Sequence, residues 1–179
     1  RGSQSLVYAE GPASCESIAL KIKYLCEDPM FDSELGAGGI AEDVVLARKQ
    51  LSEFAKESVH STYVLAETVL IGVGFHYGRI PALLRNAVEE SFSSGALNYI
   101  VCTSTLLQGV NLPARNIFMQ NPHKGIDQPI DPVSFWNLAG RAGRLGKDFQ
   151  GNVYLVDYGD WESAPLAGPK DEPVKSSLE

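Results

Sequence analysis

The chain has 179 residues, of which 44% are hydrophobic and 21% are charged, and its formal net charge is -7. This length predicts one domain that buries roughly two thirds of the surface exposed by its unfolded chain. The composition excludes a membrane span, since no apolar run approaches the required length, and we identify no signal peptide. The acidic balance argues against a broad basic surface for nucleic acid, but it leaves room for a few directed contacts.

The cysteines and histidines indicate neither disulfides nor metal. Cys15, Cys26 and Cys102 are odd in number and have no CxxC spacing, so we expect reduced thiols in a cytoplasmic protein. The three histidines are scattered and form no ligand set with any cysteine, which predicts no metal site. His76 is expected to pack against a neighbouring strand rather than to act in catalysis.

Short apolar segments alternate along the chain with segments of helical periodicity. In the first half we predict a strand at 5–9, a helix at 13–27, a loop at 28–40, and helices at 41–57 and about 62–71. In the second half we predict a strand early in 72–81, a helix at 81–94, and strands at 98–102, 115–120 and 151–157. This alternation predicts a parallel sheet covered by helices on both faces, with functional loops at the carboxyl ends of the strands.

Two glycine pairs imitate nucleotide-binding loops without the required context. Gly36 and Gly38 are not followed by Gly-Lys-Ser/Thr, and Gly72 and Gly74 flank the start of a strand instead of opening a helix. A cofactor-binding enzyme on a Rossmann-type sheet would need a glycine fingerprint after the first strand, and residues 10–14 do not supply one. This class of function therefore has little support.

A run of hydroxyl residues, Thr103, Ser104 and Thr105, follows the strand predicted at 98–102. A helix that begins here would present free backbone amides, which bind phosphate readily. The simpler alternative is that one hydroxyl caps the helix, and for this run alone the capping role is favoured.

The stretch 137–144, Asn-Leu-Ala-Gly-Arg-Ala-Gly-Arg, carries two arginines three residues apart. This spacing predicts that Arg141 and Arg144 lie on one face of a helix and reach the same target. Two guanidinium groups suit a multiply charged phosphate, which each can bind with two hydrogen bonds. Alternatively, both arginines favour the dipole at a helix C-terminus. The stretch alone leaves these two interpretations about equal.

Together, these stretches resemble the motifs of superfamily 2 helicases. Four motifs match in order and spacing: motif IV at 5–9, motif IVa at 75–81 with Arg85, motif V at 103–114, and motif VI, usually written QxxGRxGR, at 137–144. The wording Gly-Val-Asn-Leu-Pro-Ala and Gly-Arg-Ala-Gly-Arg resembles the superkiller-type, DExH-box branch, especially its bacterial and archaeal members. The resemblance covers nearly the whole chain, from about residue 5 to residue 157.

The resemblance implies the second, C-terminal RecA-like domain of a helicase motor. Its fold would be α/β, a P-loop NTPase-like three-layer sandwich with a mainly parallel sheet flanked by helices. The domain would occupy 1–160, and 161–179 would be a linker or tail with an expression-tag scar. In this family ATP binds between two such domains, and the first one supplies the phosphate loop and the acidic pair that holds Mg²⁺. Because the sequence has no Gly-x4-Gly-Lys-Ser/Thr, we expect ATP and Mg²⁺ to be held mainly by a missing N-terminal RecA-like domain of the same polypeptide, and the chain alone to be inactive.

Carried over position by position, the resemblance implies three groups of site residues. The arginine fingers that act in catalysis would be Arg141 and Arg144. The nucleotide contacts would come from Gly109, Asn111 and Asn137. The contacts to the backbone of single-stranded DNA or RNA would come from Thr103, Ser104, Arg79 and Arg85. Three positions depart from the family pattern, since Asn137 stands where a Gln is common, Arg79 where a small residue is frequent, and Ala82 where a Gln often precedes the motif IVa arginine.

A second class of function stays open, a helicase-like binding or scaffold module without motor activity. The presence of Arg141, Arg144 and Thr103 speaks against it. The sequence also leaves open the choice of DNA or RNA, the direction of movement, the pathway, the role of residues 28–71 and the oligomeric state.

Overall fold

The computed structural model describes residues 4–28, 39–103, 112, 114–123, 128–143 and 150–167. The strands in these ranges are β1 (Ser5–Tyr8), β2 (Val73–His76), β3 (Tyr99–Cys102), β4 (Asn116–Gln120) and β5 (Asn152–Val156). The helices are α1 (Pro12–Glu27), α2 (Glu42–Ser58), α3 (Val64–Thr68), α4 (Ala82–Ser93) and α5 (Pro132–Ala139). Short 3-10 turns cover Val69–Ile71, Tyr158–Asp160 and Pro165–Ala167. None of the helices in the described ranges is both long and apolar enough to cross a membrane.

The five strands form one parallel sheet in the order β2-β3-β1-β4-β5. In the central strand, Leu6 lies opposite Ile100 of β3 and Ile117 of β4, and all three side chains are fully buried. Burial on this scale explains why the strands read as short apolar runs. The predicted parallel sheet is confirmed.

Helices cover both faces of the sheet at β2. His76 faces α4, where its ring contacts Glu89. The preceding residue, Phe75, points to the opposite face, and its ring centroid lies 5.7 Å from that of Tyr63, just before α3. Tyr77 lies on the same face as Phe75 and reaches Glu16 of α1. This layering confirms the predicted three-layer α/β fold.

One helix near the middle of the chain is shorter than predicted. The segment predicted as a helix at about 62–71 divides into α3 and a 3-10 turn, Val69–Ile71. Gly72 ends the turn with φ +88°, a left-handed conformation that favours glycine. This backbone reversal leads directly into β2.

The structure corrects the prediction for the arginine stretch. Helix α5 ends at Ala139, so Arg141 lies beyond it in a turn. The prediction that Arg141 and Arg144 share one face of a helix is therefore wrong. The physical reason lies in Gly143, whose φ of +94° cannot continue a right-handed helix, and in Ala142, which pairs with Ala114 instead.

Residues 161–167, predicted to begin a linker, pack against the domain. The indole Nε1 of Trp161 donates a hydrogen bond to the Val156 carbonyl at 2.8 Å. Its ring lies 6.4 Å from that of Phe135 in α5. The Ser163 hydroxyl donates to the Ile130 carbonyl at 3.1 Å. These contacts hold the segment against α5, and the boundary at residue 160 stays a prediction.

The three cysteines are free thiols, as predicted. Cys15 and Cys102 are buried, and Cys26 is partly exposed. Burial is the main cause that raises the pKa of Cys15 to about 12. Such a thiol stays protonated near neutral pH and packs as a small apolar group.

Candidate functional site

Thr103 stands where β3 gives way to the connection toward β4. Only 6% of the residue is exposed. Its backbone N–H donates to the His76 carbonyl at 3.3 Å, which joins the carboxyl ends of β2 and β3. Ser104, predicted as a further backbone contact, lies outside the described residues.

Two arginines predicted to contact nucleic acid follow β2. Arg79 is exposed in the turn between β2 and α4, and the Ile80 N–H closes that turn by donating to the Tyr77 carbonyl at 3.2 Å. Arg85 is partly buried in the first turns of α4. Its charge is one of the causes that lower the pKa of His76. The carboxyl ends of β2 and β3 therefore collect Arg79, Arg85 and Thr103.

The buried His76 pairs with Glu89, which is partly buried. The His76 Nε2 and the Glu89 Oε1 are 2.7 Å apart, and the side chains are 2% and 17% exposed. Burial is the main cause that lowers the pKa of His76, and the bond to Glu89 opposes it. The neutral ring donates its Nε2–H to the carboxylate. His76 is packed in the interior, as predicted, but its side chain pairs with Glu89 of α4 rather than with a neighbouring strand.

A backbone bridge fixes the position of Arg141. The Ala114 N–H donates to the Arg141 carbonyl at 3.2 Å, and the Gly143 N–H donates to the Ala114 carbonyl at 2.8 Å. These bonds form a short parallel pairing between Ala114 and Ala142. Residues 141–143 are thus hydrogen-bonded to Ala114, which lies just before β4.

Gly151, just before β5, packs directly on this bridge. A Cβ atom there would lie 2.1 Å from the Ala142 carbonyl carbon and 2.2 Å from the Gly143 nitrogen. Real Cβ atoms do not approach backbone so closely, so only glycine fits without displacement. The residue that precedes β5 therefore packs against the turn that holds Arg141.

The Arg141 side chain is partly buried. Burial raises the pKa of the Cys102 thiol well above its ordinary value, and the Arg141 charge opposes this rise. Asn137, predicted to contact nucleotide, is exposed on the last turn of α5.

The predicted site residues lie at two ends of the sheet. Thr103 follows the carboxyl end of β3, whereas the Arg141 backbone is held by Ala114, which precedes the amino end of β4. Because the strands are parallel, these are opposite ends. Thr103 and Arg79 lie at the carboxyl ends, where the sequence predicts functional loops, whereas the Arg141 backbone lies at the amino end. Three other predicted site residues, Gly109, Asn111 and Arg144, lie outside the described residues.

Sequence reasoning missed the partners of these residues. Glu89 lies 13 positions after His76, and Gly151 lies eight positions after Gly143, with no pattern that joins either pair. The only available signal was a histidine within a buried strand, since a buried polar group requires a partner. In the described part of the chain, no three His, Cys, Asp or Glu residues are grouped so as to hold a metal ion.

The parallel sheet covered by helices on both faces defines a class, the RecA-like α/β domains. Residues 44–146 match the family model described as helicase conserved C-terminal domain, which covers more than half of the chain. The chain belongs to this helicase C-terminal domain family.

Several curated proteins are similar to the chain. The ATP-dependent DNA helicase Hel308 of Caldivirga maquilingensis is 34% identical over 167 residues, which cover 87% of this chain and 20% of that protein. DNA polymerase theta of Mus musculus is 35% identical over 142 residues, 76% of this chain and 6% of that protein. Anti-bacteriophage protein B of Escherichia coli is 35% identical over 86 residues, 48% of this chain and 12% of that protein. The chain thus spans a fifth or less of each relative.

Proposed function

We propose that this chain is the C-terminal motor half of an ATP-dependent helicase or translocase, a nucleoside-triphosphate hydrolase. The N-terminal RecA-like domain of the same polypeptide would hold most of the ATP and its Mg²⁺. Membership in the helicase C-terminal domain family supports this role. The observation that carries it is the pairing of Ala114 with Ala142, which holds Arg141 in a fixed turn beyond α5.

This chain would contribute positive charge to the ATP-hydrolysis site. Arg141 and Arg144 would place guanidinium groups against the γ-phosphate across the cleft between the domains. A guanidinium there offsets the charge that develops on the transferred phosphoryl group, an effect of about 10³-fold or more in turnover. Gly109, Asn111 and Asn137 would contact the nucleotide from the same side. The fixed backbone at Arg141 supports this assignment, because a positioned charge needs little reorganisation during the reaction.

Single-stranded nucleic acid would bind at the carboxyl ends of β2 and β3, at the opposite end of the sheet from the Arg141 backbone. Arg79, Arg85, Thr103 and Ser104 would contact backbone phosphates without reading bases, so movement would not depend on sequence. The Hel308 relatives are ATP-dependent DNA helicases, which favours DNA over RNA. ATP binding and hydrolysis would close and open the two domains and so move the strand.

The assignment to a particular helicase branch rests on the motif sequences. The stretches 109–114 and 140–144 support a superkiller-type, DExH-box branch. Relatives come from archaea, a bacterium and animals, so a prokaryotic source is a proposal that rests on the wording alone. The free thiols support a cytoplasmic location.

Turnover and ATP binding by the full-length protein test the proposed role. We expect Arg141→Ala and Arg144→Lys to lower the turnover number by about 100-fold or more while ATP affinity changes little, because lysine cannot reproduce bidentate contact. Lys21→Ala, at an exposed position on α1, is the matched control and should leave both quantities unchanged.

Two outcomes contradict the proposal. The first is unchanged turnover in the arginine variants, which would favour a scaffold module. The second is strong Mg²⁺-dependent turnover by the isolated chain that persists in Arg141→Ala.

A further inference from the structure

Two consecutive side chains at the end of β2 are held on opposite faces of the sheet by carboxylates from different helices. His76 Nε2 donates to the Glu89 Oε1 of α4 at 2.7 Å. The Tyr77 hydroxyl donates to the Glu16 Oε1 of α1 at 2.6 Å. Hydrogen bonds to carboxylates are about twice as strong as neutral ones. The end of β2 is therefore tied to both helical layers.

Tyr77 has further contacts that fix its ring. The Tyr63 hydroxyl lies 3.1 Å from the Tyr77 hydroxyl. The ring of Phe75 stacks on that of Tyr77 with centroids 5.7 Å apart and planes inclined by 4°. Only 8% of Tyr77 is exposed, so neither its ring nor its hydroxyl is free to move into solvent.

The turn that follows is closed at both ends by buried residues. The Ile80 N–H donates to the Tyr77 carbonyl at 3.2 Å, and Ile80 is 3% exposed. Between these anchors stands Arg79, which is exposed. On the neighbouring strand, the Thr103 N–H donates to the His76 carbonyl. The turn thus presents the exposed Arg79 side chain next to the start of the β3–β4 connection.

We propose that Glu16, His76, Tyr77 and Glu89 are positioning residues for nucleic-acid binding, which fix the turn at 77–80 so that Arg79 meets a backbone phosphate beside Thr103. The inference rests on the proposed function and adds to it a second layer of residues that touch no nucleic acid. A mobile turn would lose conformational entropy on binding, and the two carboxylate bonds remove that cost in advance.

The test measures the affinity of the full-length protein for a fluorescein-labelled single-stranded oligonucleotide without ATP, at several salt concentrations. We expect Tyr77→Phe and Glu16→Gln each to raise Kd by about 3- to 10-fold, the range for one ordered side chain. Because Arg79 is retained, the slope of log Kd against log salt should stay unchanged. Arg79→Ala should lower that slope by about 0.7, the value for one lost phosphate contact on a single strand. Tyr99→Phe, at a partly buried tyrosine of β3, is the matched control.

The double variant Tyr77→Phe with Arg79→Ala separates positioning from general stability. If Tyr77 acts through Arg79, its substitution has no further effect once Arg79 is absent. A Tyr77→Phe effect that persists in the Arg79→Ala background, or no effect of Tyr77→Phe and Glu16→Gln, overturns the inference. An unchanged Kd in Arg79→Ala also overturns it, whereas the motor role is judged separately by turnover in Arg141→Ala.

Discussion

The guanidinium of Arg48 lies directly against Gly72, where a Cβ atom would be 2.4 Å from Nη2. From α2, the Arg48 Nε donates to the Ala96 carbonyl at 2.7 Å and Nη2 donates to the Asn98 Oδ1 at 3.0 Å. The side chain therefore joins α2 to the segments that enter β2 and β3. Much of the region between residues 41 and 71, whose role the sequence left open, is thus built into the sheet edge.

Replacing Arg48 should destabilise the domain. We expect Arg48→Met to lower the free energy of unfolding by about 3 kcal/mol, because the Ala96 carbonyl and the Asn98 amide oxygen lose a charged donor. Urea denaturation of the purified chain measures this change. Lys49→Met, at the exposed position next along α2, is the control and should change stability by less than about 0.5 kcal/mol. Equal effects at both positions would show that the buried bonds contribute nothing specific.

Gly151 should tolerate no side chain. We expect Gly151→Ala to cost about 2–4 kcal/mol, since the methyl group would overlap the backbone at Ala142 and Gly143. Gly159→Ala is the matched control, because a Cβ there meets nothing within 4 Å. Thermal unfolding of both variants provides the comparison. Similar melting temperatures for the two variants would mean that the backbone at Ala142 and Gly143 shifts at little cost and that the Arg141 turn is not rigidly held.

His76 should make stability depend on pH. Its pKa lies below the ordinary value of 6.5 in the folded chain, mainly because of burial, so the unfolded chain binds the proton more tightly. The charged groups that face it are Glu89, which favours protonation, and Arg85, which opposes it. The penalty is absent above about pH 6.5 and grows as the pH falls toward the folded-state pKa. We therefore expect His76→Gln to lose less stability than the original chain between pH 7.5 and 5.5, as measured by urea denaturation. An equal or larger loss in His76→Gln would contradict this assignment.

The strands and helices could be predicted from sequence because their signals are local. Apolar runs mark β1 and β3, and Pro12 begins α1 at its first helical position. The turn at Arg141 could not be predicted, because α5 stops where Ala142 finds a partner 28 positions earlier, at Ala114. A helical spacing of two arginines carries no information about that pairing.

The candidate site divides in the same way. The position of Thr103 followed from the rule that loops after parallel strands carry functional residues, whereas Arg79 was predicted from the family resemblance. The carboxylates that hold His76 and Tyr77 come from α4 and α1, and only the folded chain brings them to one strand end. Sequence motifs identified the side chains predicted to meet ligands, whereas tertiary contacts decide how firmly each is held.

The connection that begins at Thr103 ends at Ala114, and Ala114 is hydrogen-bonded to the Arg141 backbone. The chain from Thr103 to Ala114 and the hydrogen bond of Ala114 to Arg141 therefore link the residue expected to hold a strand with the residue expected to meet a triphosphate. In the proposed motor, a force on the nucleic-acid strand held at Thr103 would be transmitted along this path to Arg141. The amino end of β4 would then couple the mechanical load on the nucleic-acid strand to ATP hydrolysis.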